Sequence, residues 1–159
     1  MIQKMIYFKK VNLNGADRQR IETAIRQFAV KRNTSLDFQS SATCIRQEKY
    51  FLGLESESNL TLTRIRTPFE RLLPKLIFQF SKEDFNKYKV RFSFVSIFVA
   101  FLLSVGVLLQ LIYSIKNSQL SSNLWQILFF ALIFIALTWF EIKLTTDKIN
   151  KAIEKAAQN

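Results

Sequence analysis

The 159-residue chain contains no histidine, one cysteine, two prolines and three glycines. Without histidine no Ser-His-Asp or Cys-His catalytic arrangement can be built. Zinc sites draw on His or on several Cys, so neither a metal nor a cofactor is expected. Cys44 has no second cysteine in the chain to pair with, which excludes an internal disulfide framework. With glycine only at 15, 53 and 106, no Walker A or GxGxxG phosphate loop can be written. Nor do Glu55, Glu57, Glu70, Glu83 and Asp84 form an acid–base pair at motif spacing, so no catalytic residues are assigned and an enzyme is not expected. Arg46, two residues beyond Cys44 on a polar strand, is placed to lower the thiol pKa, but a structural or incidental cysteine is the expected reading.

What is abundant is apolar surface and positive charge. Hydrophobic residues make up 49% of the chain, and the net charge is +11. Phe92–Ile115 runs 24 residues without a charge, and Leu124–Phe140 another 17. A bilayer core of ~30 Å needs ~20 helical residues, so both read as spans, the second reaching Glu141 at headgroup level. Trp125 and Trp139 lie ~21 Å apart along a helix axis, matching two aromatic belts, and Tyr113 is a further interface anchor. Residues 1–91 carry 18 Lys+Arg against 9 Asp+Glu. The loop 116–123 carries only Lys116, and the tail 142–159 carries Lys143, Lys148, Lys151 and Lys155. Positive residues favour the cytoplasmic side. This predicts a two-pass protein of the cell (inner) membrane with both ends in the cytoplasm, anchored by Lys89 and Arg91 just before the first span.

The first 91 residues read as a small α+β domain in the order strand, helix, strands. The expected elements are a strand at Met5–Leu13, an amphipathic helix over Ala16–Arg32, and a polar strand at Leu36–Gln47. A hairpin of Lys49–Glu55 with Leu60–Arg66 follows, then a strand at Lys75–Ser81. Asn14 would cap the helix, with Asp17 in its first turn. TPFERLLP between Thr67 and Pro74 reads as a loop or single helical turn. Ser81–Asp84 suits a short helix cap, and Lys87–Phe92 a last strand leading into the first span. After Glu141 the apolar register of Ile142, Ile149, Ala152, Ile153 and Ala156 continues the second helix, to pack on the domain or on another copy.

Arg64, Arg66, Arg71 and Lys75 concentrate positive charge around the TPFERLLP loop. Guanidinium groups there would grip an anionic ligand or a lipid headgroup through paired N–H donors. A basic face apposed to an anionic bilayer accounts for the same charges without a ligand. The aromatic-stacking motif of an RNA-binding sheet is missing, so nucleic acid is not the expected partner. In the first span Ser96, Ala100 and Ser104 form a small-residue stripe for close helix packing. Gln110 and Gln126 are placed to hydrogen-bond across the hairpin, and Glu141 to pair with Lys89 or Arg91. The expected function is a basic sensing or binding domain coupled to an oligomerising membrane hairpin, in an effector or signalling role. The alternative is an accessory or scaffold subunit of a larger membrane complex.

Overall fold

The computed structural model describes residues 7–13, 17–40, 49–117 and 122–158. It is an α+β fold. The elements in chain order are β1 (Lys9–Asn12), α1 (Arg18–Phe28), β2 (Ala29–Arg32), β3 (Phe51–Glu55) and β4 (Asn59–Arg64). There follow a single 3₁₀ turn (Phe69–Leu72), β5 (Leu76–Ser81), β6 (Asp84–Phe92), α2 (Phe94–Asn117) and α3 (Ser122–Gln158). The six strands form one sheet in the order β1-β6-β5-β4-β3-β2, antiparallel except for the parallel pair β2–β3.

Period-two alternation sorts the strand residues onto two faces. Leu60 and Leu62 of β4, Leu76, Phe78 and Phe80 of β5, and Tyr88 and Val90 of β6 are buried in the main core. That core is closed by Ile21, Ile25 and Phe28 of α1 and by Ile142, Ile149 and Ala152 of α3. The last part of α3 therefore lies over the sheet beside α1 and forms one wall of the core. Tyr88 ties sheet to helix at its polar end, its hydroxyl 2.9 Å from Thr146 Oγ1. A smaller cluster of Leu36, Leu52 and Ile77 sits on the opposite face under the turn at 36–38.

Three local expectations change. The helix predicted to reach Arg32 stops at Phe28, and Ala29–Arg32 become β2, because their backbone groups find β3 from Phe51 to Leu54. Helical periodicity in the side chains did not outweigh an available sheet edge. Ser81–Asp84 makes a hairpin instead of capping a helix: Ser81 pairs with Asp84, and the two residues between them close the turn. Leu36–Phe38 form a turn where a strand was expected; the rest of that segment, with Cys44 and Arg46, lies outside the described residues, as does Asn14. Asp17 stands one residue before α1 in an extended conformation, at the N-cap itself.

β6 passes into α2 through Ser93 alone. Ser93 caps the helix: its carbonyl accepts from Ile97 N at 2.9 Å and its hydroxyl from Ser96 N at 3.4 Å. At 1.5 Å per residue, α2 is about 36 Å long and α3 about 55 Å. Both are long and apolar enough to cross a membrane, with mean hydropathy 2.6 and 2.2 over their most apolar stretches. Only 6% and 17% of those stretches are buried.

Candidate functional site

The chemistry of the molecule gathers where the sheet meets the two long helices. Along β4 the alternation that turns Leu60 and Leu62 inward also turns Arg64 inward, at the helix end of the strand. Arg64 is 1% exposed. Its Nη2 donates to Glu141 Oε2 at 2.7 Å, its Nε to Glu141 Oε1 at 3.3 Å, and its Nη1 to Glu70 Oε1 at 2.7 Å. Arg66, two residues on, is also buried. It donates to the carbonyls of Leu73 and Pro74 at 2.7 and 2.9 Å, and its Nε lies 3.4 Å from Glu141 Oε1. Glu141 is fully buried on α3. Glu70 Oε2 accepts from Thr67 N at 2.8 Å, so the 3₁₀ turn belongs to the same cluster.

A second cluster occupies the other face. On β6, Tyr88 and Val90 face the core, so Arg91 faces away from α3. It forms a two-pronged pair with Asp37, Nη1 to Oδ1 at 3.0 Å and Nη2 to Oδ2 at 2.8 Å. Asp37 Oδ1 also accepts from Phe94 N at 3.1 Å, in the first turn of α2. Lys75 donates to the carbonyls of Leu36, Asp37 and Gln39 and so holds the turn that carries Asp37. Each long helix thus has its own carboxylate–arginine clamp to the sheet: Glu141–Arg64 for α3 and Asp37–Arg91 for α2.

The expected pair of Glu141 with Lys89 or Arg91 does not form. Lys89 and Arg91 point to the face opposite the one on which α3 lies; Lys89 instead lies over the Tyr7 ring, 5.6 Å from its centroid. Three of the four cations expected to grip an anion have partners within the domain: Arg64 is engaged by two carboxylates, and Arg66 and Lys75 donate to carbonyls. Arg71 is exposed. Of the small-residue stripe, Ser96 serves the domain: it is buried and its hydroxyl donates to Lys75 O at 3.1 Å. Ser104 Oγ donates to Ala100 O at 2.8 Å. Ala100 and Ser104 line an apolar groove of about 730 Å³ between α2 and α3, with Phe134, Thr138 and Trp139. Gly106 of α2 faces Ile127 of α3, where an added Cβ would stand at ordinary contact distance, 3.5 Å from Ile127 Cδ1. No hydrogen bond joins Gln110 to Gln126; Gln110 Oε1 is buried without a partner among the described residues, and Gln126 is exposed. Tyr113, Trp125 and Trp139 are all exposed on the long helices.

Sequence reasoning missed Asp37 and Glu70. A signal for the inward arginines was present, since Leu60, Leu62, Arg64 and Arg66 share one alternation phase. Asp37 lies in a segment read as a polar strand, and nothing local marks it as a partner of Arg91.

Burial shapes the ionisation of these groups. For Asp37, burial raises the pKa, but the Arg91 hydrogen bonds and charge, the Phe94 N–H and Lys75 together hold it below the ordinary carboxylate value. Glu70 is likewise held low: burial is outweighed by the Thr67 N–H and by Arg64. Arg66 is lowered by burial, against the pull of Glu141, whereas Arg64 is raised because Glu141 and Glu70 outweigh burial. Lys75 is lowered to about 8, first by burial and then by Arg66 and Arg91, with Asp37 opposing.

Between the two clamps lies a cavity of about 550 Å³. Arg66, Arg71 and Lys75 line its polar side together with Asp37, and Val95, Val99 and Phe134 its apolar side. Among the described residues no group of three or more His, Cys, Asp or Glu is placed to hold a metal ion. No protein family, no curated protein and no solved structure matches the chain.

Proposed function

We propose that the chain is a two-pass membrane protein in which a basic cytoplasmic binding domain is rigidly coupled to a membrane hairpin. The observation that carries this reading is the exposure of α2 and of the apolar part of α3. A core helix of a water-soluble protein is covered by its own chain, whereas only 6% and 17% of the most apolar stretches of these helices are buried. Water would penalise that surface heavily; lipid would not. The charge distribution supports a cytoplasmic domain, with the positive residues gathered on the side of the sheet and the tail of α3. We read it as a binding module rather than an enzyme. A displacement at the sheet would pass to both helices through Glu141–Arg64 and Asp37–Arg91, and on to other copies or partner helices.

Alkaline carbonate extraction combined with topology mapping tests the placement. The protein should stay in the membrane pellet, a reporter fused after Asn159 should be active in the cytoplasm, and a cysteine at Ser118 should label from outside. Release into the supernatant, or labelling of that cysteine only from inside, would contradict the reading. The alternative of a scaffold subunit is favoured by the low burial of the apolar stretches of α2 and α3, against which other proteins' helices could pack. It would show as a stoichiometric partner that co-purifies with the protein.

A further inference from the structure

Four ion-pair contacts join Arg64, Arg66 and Arg91 to Glu70, Glu141 and Asp37 at the junction. These three cations and three carboxylates balance. Two further cations do not enter that balance: Arg71 and Lys75 make no ion pair among the described residues, and both line the 550 Å³ cavity. Lys75 is held by carbonyl oxygens, which orient it, and its charge is offset only in part by the Asp37 carboxylate, which is engaged by Arg91. Arg66 borders the same space, and its two carbonyl bonds leave a second N–H on each Nη nitrogen.

The opposite wall has a different character. Val95 and Val99 rise along the first turns of α2, and Phe134 faces them from α3. The cavity therefore grades from cationic to apolar along the direction in which the helices leave the sheet. Its surroundings carry large apolar side chains that a cytosolic surface would not favour. Phe38 is 79% exposed, Phe69 91% and Leu72 85%. Phe38 and Leu72 line the cavity, and Phe69 opens the 3₁₀ turn that carries Leu72. Phe38 also stacks on Phe94 at the foot of α2, 5.9 Å between centroids. Such residues belong in the interfacial layer of a bilayer, between the headgroups and the upper acyl chains.

We propose that this cavity is a binding site for one anionic glycerophospholipid of the inner leaflet, its phosphate against Arg71, Arg66 and Lys75 and its upper acyl chain against Val95, Val99 and Phe134. The proposal rests on the membrane reading above and supplies the domain's ligand. The volume falls within the ~300–1,000 Å³ of small-molecule sites and suits a headgroup with the start of one chain. Guanidinium groups match phosphate oxygens in pairs, and this selects an anionic lipid over one whose phosphate is already neutralised by choline.

The full-length protein in neutral-lipid nanodiscs, doped with phosphatidylglycerol or with phosphatidylcholine of matched chains, provides the test by native mass spectrometry. One phosphatidylglycerol per chain should be retained at least tenfold over phosphatidylcholine. Arg71→Glu, at an exposed position, should reduce that preference at least tenfold with no change in melting temperature. Val99→Trp, which fills the apolar side, should remove retention of both lipids. Equal retention of the two lipids, or an Arg71→Glu variant that retains phosphatidylglycerol like the parent, would overturn the proposal. Displacement of the lipid by millimolar inorganic phosphate or glycerol phosphate would also overturn it, in favour of a soluble anion. Failure of the protein to incorporate into nanodiscs would instead count against the membrane reading itself.

Discussion

The two long helices are similar in apolarity but are attached to the sheet in different ways. α2 begins where β6 ends, with Ser93 as the only residue between them, and its first turn is held by a carboxylate that the domain supplies, Asp37. α3 passes the sheet, supplies its own carboxylate, Glu141, and goes on to become a wall of the core through Ile142, Ile149 and Ala152. A helix that starts at a strand end needs only a cap and an orienting contact. A helix that crosses a sheet must bring its anchor with it, at the point where apolar surroundings give way to the domain. This difference predicts that damage to the α3 attachment reaches the whole domain, while damage to the α2 attachment stays local.

The largest effect is expected from Glu141→Gln, which leaves Arg64 and Arg66 buried without their shared carboxylate. Removal of one partner from a buried ion pair costs ~3–5 kcal/mol, readable as a loss of thermal stability in detergent. Replacement of Arg64 and Glu141 together by Met should recover much of that loss, because well-packed apolar residues often substitute for a buried pair without net cost. Ile149→Ala should follow at ~2–5 kcal/mol, since Ile149 is fully buried beside α1. Asp37→Asn should cost somewhat less, ~1–3 kcal/mol for the weakened bonds to Arg91 and the Phe94 N–H. Its signature should be faster hydrogen exchange at Phe94–Ile97, with the tail of α3 unchanged. If Asp37→Asn loosened that tail as much as Glu141→Gln does, the contrast between the two attachments would fail.

The smallest effects come with pH, and the two ends of the scale differ in sign. Asp37 and Glu70 are held below their ordinary values in the folded state, so the stability they contribute is present above about pH 4 and lost as pH falls through their lowered pKa values. Lys75, lowered to about 8 from an ordinary value of 10.5, binds its proton less well folded than unfolded. It therefore burdens the fold below pH 8 and relieves that burden as pH rises toward 10.5. Burial raises the Tyr88 hydroxyl, against the Thr146 hydrogen bond, and opposes that trend near pH 10 and above. Melting curves between pH 7 and 9.5 should show an upward component that Lys75→Met removes. An anion in the cavity would raise the Lys75 pKa and flatten the same component.

The fold was legible where one signal ruled. Long uncharged runs marked both apolar helices, and clean alternation marked β4 and β5. It was less legible where two signals competed, as at Ala29–Arg32, whose helical side-chain pattern gave way to pairing with β3. Around the candidate site the concentration of cations is legible in the sequence, but their internal partners are not. Arg64 and Arg66 share an alternation phase with Leu60 and Leu62, which turns them inward toward Glu141. Arg91 and Glu141 are close in chain position to the same boundary, yet strand phase puts them on opposite faces of the sheet. The pairing of Asp37 with Arg91 and the Phe94 N–H could not be found from sequence, because those two lie more than fifty residues away and no local pattern connects them.

A double-mutant cycle on Arg64 and Glu141, read by thermal unfolding of the full-length protein in nanodiscs, tests the coupling of domain and hairpin most directly. Strong coupling is predicted: each single substitution to Met should cost ~3 kcal/mol or more, and the double variant far less than their sum. Additivity within ~0.5 kcal/mol would contradict the account, because the helix would then be held by its apolar contacts alone and the buried pair would transmit nothing.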